Sequence, residues 1–181
     1  MKLAMTGVPL NRSVWLLVAC LALIFLGSVL IAPRDGYGQL NLNFDDIEIN
    51  VLHVQGNVYM LVGAGGNITL QVGREGVLIV DSMYPELVDK VLSVIRELSD
   101  QPIRYLINTH VHPDHIGGNG PLAEQNVLIF AHDNVRVRAL EQLRFPRGGG
   151  RFAPQPQPSA RPIITYNDAV SFHFNGEEVR A

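Results

Sequence analysis

A chain of 181 residues, 47% hydrophobic and 17% charged, is long enough for one domain with a sizeable core. Its net charge of −3, with no basic cluster, offers nothing to a polyanion, so no nucleic-acid partner is expected. The single cysteine, Cys20, excludes an internal disulfide framework and leaves metal binding to His, Asp and Glu.

The chain opens on targeting material. Lys2 and Arg12 supply positive charge around the start of an apolar run from Val14 to Ile31 that only Gly27 and Ser28 dilute. Gly36-Tyr37-Gly38 then sets small residues where a signal peptidase reads, and residues 1–38 resemble a secretory signal peptide. The run is also long enough to span a bilayer, so a membrane anchor through residues 14–31 is the alternative. Leu17-Val18-Ala19-Cys20 looks like a lipoprotein box, but the apolar run continues past Cys20. On either reading residues 39–181 lie outside the cytoplasm, in the periplasm or secreted.

After a linker, Ile47, Ile49 and Val51 alternate with polar residues as a half-buried strand does. Val58–Val62 and Ile68–Val72 read as two more strands around the turn Gly63-Ala64-Gly65-Gly66-Asn67. A strand follows this turn, so it reads as a hairpin; a phosphate-cradling loop would lead into a helix. Gly73-Arg74-Glu75-Gly76 turns into Val77–Val80, whose continuous apolar run suits a buried strand. Connections this short predict an antiparallel meander. Pro85 suits the first turn of a helix in which Leu87, Val88, Val91, Leu92, Ile95 and Leu98 share a face. Ile103–Ile107 is a strand, Pro121–Gln125 a helical turn, Val127–Phe130 a strand and Asp133–Leu143 a helix. Phe145–Pro162, with Gly148–Gly150 and five prolines, reads as a long loop, either a lid or a disordered connection. Ala169–Phe174 points Val170, Phe172 and Phe174 inward, Asn175-Gly176 is a hairpin turn, and Glu177–Arg180 starts the return strand. Strands first, then alternating helices and strands, argue for an α/β (α+β) layered fold.

Residues 110–115 read His-Val-His-Pro-Asp-His, four good metal ligands in six positions. His110 and His112 can point to one side of an extended segment, while Asp114 and His115 face a second point. Two ions about 3.5–4 Å apart would use all four. Imidazole and carboxylate donors suit zinc. His132 reads as a structural residue before its helix and His173 as a solvent-face strand residue.

With its flanks, Thr109 through Asn119, this stretch resembles the signature of the metallo-β-lactamase superfamily. Asp81-Ser82, at the end of the Val77–Val80 run, resembles the first motif of that family. The resemblance covers about residues 47–181. It implies an αββα sandwich with the metal site at one edge between two sheets. It also implies His110 and His112 on one zinc ion, Asp114 and His115 on the other, Asp114 as the group that orients the attacking water or carries its proton, and Asp81 as a buttress rather than a ligand. The family completes its site with a histidine, an aspartate and a last histidine further on, and neither His132 nor His173 matches them. Residues 39–181 are therefore expected to be the N-terminal half of the sandwich, truncated before those ligands, with a sheet face and strand edges uncovered.

Zinc lowers the pKa of a bound water from about 15.7 towards 7. The expected activity is hydrolysis of a small ester, thioester, lactone or β-lactam. One alternative is a genuine β-lactamase, since His-x-His-x-Asp-His without a cysteine matches one of its subclasses. The other is an inactive fragment that lacks the remaining ligands. The substrate is expected to be a small molecule; no oligomeric state is legible.

Overall fold

In the computed structural model, residues 42–144 and 158–181 are described. The leader and the loop through Gln157 lie outside them. Seven strands build one sheet in chain order: β1 (Asn50–Gln55), β2 (Val58–Val62), β3 (Ile68–Gly73), β4 (Gly76–Val80), β5 (Ile103–Asn108), β6 (Leu128–His132) and β7 (Ile164–Tyr166). The first four form the predicted antiparallel meander. From β4 onward the neighbours are parallel, because helices now carry the chain back across the sheet. Those helices are α1 (Val88–Leu98), the short α2 (Pro113–Ile116) and α3 (Asn119–Ala123), and α4 (Asp133–Arg144). This sets the C-terminal ends of β4, β5 and β6 side by side, where ligands bind in open parallel sheets.

The apolar run of β4 is explained by what covers each face. Val77 and Ile79 join Leu106 and Ile129 against Val88, Val91, Leu92 and Ile95, which recur at helical spacing on α1. Burying each such side chain contributes about 1.5–3 kcal/mol. Leu78 faces the other way, with Ile107 and Phe130, onto Phe174. Phe174 comes from a separate hairpin, β8 (Ser171–Phe174) paired with β9 (Glu177–Arg180). Tyr105 meets Phe174 edge-on at 4.8 Å, and Phe130 stacks on Phe172 at 5.0 Å. The hairpin turns through Asn175 and Gly176, both with positive φ, as a two-residue turn of this hand requires.

Three sequence expectations change. The second sheet face is partly covered by β8–β9 rather than bare. The edge strand β1 is exposed along its whole length, with Leu52 49% and Val54 58% exposed. It also begins at Asn50, not Ile47. Residues Phe44–Asp46 form a 3-10 turn instead, and the Lys90 ammonium gathers the carbonyls of Phe44, Asp45 and Ile47 at 2.9, 2.7 and 2.8 Å. Finally, β7 was not anticipated, because three residues behind a proline-rich stretch carry no readable period. Among the described residues no helix is long and apolar enough to cross a membrane.

Candidate metal centre

Directly after β4 the backbone turns left-handed at Asp81 (φ 65°) and again at Met83 (φ 54°). Aspartate tolerates this region; a methionine does not do so readily, and such strain costs about 1–3 kcal/mol. The return is the placement of the Asp81 carboxylate, 4% exposed, beneath the loop that follows β5. One oxygen accepts the Thr109 N–H at 2.8 Å. The other accepts the Thr109 hydroxyl and His115 Nδ1, each at 2.7 Å. Asp81 is thus the buttress expected of it.

These bonds set the histidine tautomers by proton counting. Asp81 as a carboxylate only accepts, so His115 Nδ1 donates to it, and in a neutral imidazole Nε2 is the nitrogen left to bind a metal. The Thr109 hydroxyl gives its one proton to Asp81, so its oxygen accepts from His110 Nδ1 at 3.0 Å. His110 Nε2 is then an acceptor and meets His112 Nδ1 at 3.1 Å. Burial, then the neighbouring His115 and His112, lower the His110 pKa below its ordinary value. His110 is accordingly neutral at neutral pH, the form that binds metal.

A buried amide platform carries this loop. Asn119 Nδ2 donates to Asn108 Oδ1 at 2.8 Å and to the Ala160 carbonyl at 3.0 Å. Its Oδ1 accepts the Ser82 hydroxyl at 2.9 Å and Asn108 Nδ2 at 3.2 Å. Ser82 N also donates to the His115 carbonyl at 2.9 Å. Ser82, Asn108 and Asn119 are each 1% exposed, and their polar groups are paired with one another, which fixes a single arrangement. Sequence reading had Asn119 only as a motif flank and missed Asn108. An asparagine ending an apolar strand was the available signal.

The four anticipated ligands lie together as a chain of contacts. His112 touches His110; the His110 and His115 rings are 3.9 Å apart; His115 Nε2 is 3.5 Å from Asp114 Oδ2. Asp81, His110 and His115 present donor atoms within 4.8 Å of one another and form a group able to hold a metal ion. Within that group Asp81 also aims His115, through the bond from Nδ1. Tyr84 lies close by; burial, then Asp114 and Glu86, raise its pKa, so its phenol stays protonated. A cavity of about 290 Å³ opens between Thr109–Val111 and His132, Asn134 and Arg138. His132 itself is engaged at both nitrogens, by the Asn167 carbonyl at 2.7 Å and Asn134 N at 3.0 Å. It secures the start of α4. His173 is exposed on β8.

Comparison with known proteins identifies the family. The family model described as "Metallo-beta-lactamase superfamily" matches residues 61–176. Among curated proteins, the linear primary-alkylsulfatase of Pseudomonas sp. (strain ATCC 19151) is 51% identical over 73 residues, 38% of this chain and 13% of the sulfatase. Among solved structures, the FEZ-1 metallo-beta-lactamase from Legionella gormanii superposes with a TM-score of 0.60 at 16% identity, covering 72% of this chain and 51% of that one. A metallo-beta-lactamase from Pontibacter korlensis gives 0.56 at 18%, covering 74% and 59%. The chain thus spans about half the length of the solved relatives and a smaller share of the sulfatase. The matched residues run from the end of β2 to the β8–β9 turn and enclose the strand-end aspartate, the histidine cluster and the amide platform, so the chain belongs to the metallo-beta-lactamase superfamily of hydrolytic enzymes.

Proposed function

We propose that the protein is a zinc-dependent hydrolase of a small ester-type substrate, with a primary-alkyl sulfate ester as the leading class. The observation that carries it is the donor set. His110, His112, Asp114 and His115 sit in one connected cluster, and the bonds of Thr109 and Asp81 leave His110 and His115 with Nε2 as the coordinating nitrogen. His110 and His112 would hold one ion, Asp114 and His115 a second. Zinc bound here would supply a Lewis acid and lower the pKa of a bound water. Everything else is done by the chain. Asp81 and Thr109 fix the imidazole rings, and Asp114, 24% exposed, orients the attacking water or takes its proton. The cavity beside His110 gives a small molecule room, and Arg138 on its wall suits an anionic group. The sulfatase likeness, at 51% identity, favours sulfate esters over the other members of the class.

A β-lactam is the second reading, favoured by the cluster's order, His-x-His-x-Asp-His, with no cysteine beyond Cys20. The order of charge, apolar run and small residues in the first 38 positions favours export, so the enzyme would act in the periplasm or outside the cell. A panel of primary-alkyl sulfates, thioesters, lactones, β-lactams and phosphodiesters, assayed with the zinc-loaded full-length protein, tests the reading. Alkyl sulfate turnover above the rest is expected. Cleavage of nucleic acid alone, with steep salt dependence, would overturn it.

A further inference from the structure

The turn between β2 and β3 lies against the metal cluster, although nothing in its sequence ties it to that chemistry. A Cβ built on Gly66 would stand 2.5 Å from His115 Cε1 and 2.6 Å from His115 Nε2. One built on Gly65 would stand 2.5 Å from Asp114 Cβ, 2.8 Å from Tyr84 Cε2 and 3.0 Å from Asp114 Oδ2. Neither neighbour can yield cheaply. The His115 ring is pinned by its Nδ1 bond to Asp81, and Asp114 Cβ is fixed to the backbone of α2. With His115 Nδ1 also only 2.9 Å away, a Cβ on Gly66 would lie over the face of the imidazole ring. Asp114 Oδ2 and His115 Nε2 are 3.5 Å apart, and each of the two groups packs against one of the two glycines.

We propose that Gly65 and Gly66 are positioning residues: only a turn without side chains lets the His115 ring and Asp114 take the places from which Nε2 and Oδ2 can bind the second metal ion. The inference rests on the two-ion reading above. A methyl at position 66 would push the His115 ring off its bond to Asp81 and carry Nε2 away from Asp114. The His110 and His112 side has no contact with the turn among those nearest the two glycines and is left alone.

Gly66 is the sharper probe. Its φ is not left-handed, so an alanine backbone fits there, whereas Gly65 has φ +78° and would be strained by any side chain. Gly120→Ala is the control, since its Cβ would meet nothing nearer than Ala160 Cβ at 3.9 Å. Zinc content, cobalt(II) absorption spectra and urea unfolding of the metal-free form are measured on the full-length wild type and both variants. The wild type and Gly120→Ala should bind two ions. Gly66→Ala should keep one and lose the other, or bind it about 10–100-fold more weakly, as when a metal ligand loses its support. The metal-free unfolding midpoint should not move, which separates positioning from folding. Binding of both ions by Gly66→Ala with wild-type affinity, or loss of both together, would overturn the proposal. A wild type that binds a single ion would instead overturn the two-ion reading, and the glycine inference with it. Should Gly66→Ala not fold, a crystal structure of the zinc-loaded wild type decides. An ion should be bound by Asp114 and His115 with the Gly65–Gly66 turn packed against both, and an ion elsewhere, or a turn moved away from them, would refute this.

Discussion

His115 is held on every side that the chain can reach. Asp81 takes its Nδ1 at 2.7 Å, Ser82 N holds its carbonyl at 2.9 Å, and Gly66 lies over the face of its ring. His112, by contrast, is exposed, and its ring meets the site only through His110. His110 in turn leans on a threonine hydroxyl rather than on a carboxylate. The two halves of one hexapeptide are therefore organised to different degrees. The Asp114–His115 half is set by long-range packing, from residues about 34 and 50 positions away. The His110–His112 half owes its arrangement to local bonds between adjacent side chains. A buttressed ligand costs little to order when metal binds, whereas an exposed one gives up rotamer freedom.

Breaking the buttress should give the largest effect. Asp81→Asn puts an amide N–H₂ or a single carbonyl where three donors converge. It should weaken metal binding about 10–100-fold and destabilise the metal-free protein by about 1–3 kcal/mol, read by zinc titration and urea unfolding. Retention of both would show that the aspartate is dispensable. Next come the ligands themselves. Asp114→Ala and His112→Ala should each lower hydrolysis by about 10²–10⁴-fold with the far-UV circular dichroism spectrum unchanged, since neither side chain is part of the core. Loss of the folded spectrum in His112→Ala would contradict the loose attachment of that half.

Asn119→Ala sharpens the comparison from below. It leaves Asn108 and Ser82 without their shared partner, which costs about 1–3 kcal/mol in urea unfolding, and it should change metal affinity less than Asp81→Asn does. The reverse order would place the control of the site in the amide platform. The smallest effect is expected at the two remote histidines. His132→Ala removes a bond at the start of α4 and should cost about 1 kcal/mol. His173→Ala should change neither stability nor metal content. A metal loss in His173→Ala equal to that of His112→Ala would mean that the ligand set has been misassigned.

Most strands and the cluster were legible because each carries its signal locally. Alternation in Ile68–Val72, helical spacing from Val88 to Leu98 and the density of ligands at 110–115 all lie within a dozen residues. The Asp81 role was legible only through family resemblance. What escaped was non-local. Gly65 and Gly66 read as an ordinary hairpin because the reason for two glycines is a steric one, imposed by side chains about 50 positions later in the chain. Asn108 and Asn119 read as polar flanks because their pairing exists only once β5 and α3 are packed together. The β8–β9 hairpin was legible as a hairpin, but its docking on Tyr105 and Phe130 was not, since edge-to-face aromatic contacts leave no period in the sequence.

The central claim, a metal-dependent hydrolase built on this cluster, is tested most directly by following zinc content and alkyl sulfate hydrolysis on one sample of the full-length protein. Chelation should remove two ions and abolish turnover, and zinc added back should restore both together. Turnover that survives in protein freed of metal would contradict the account.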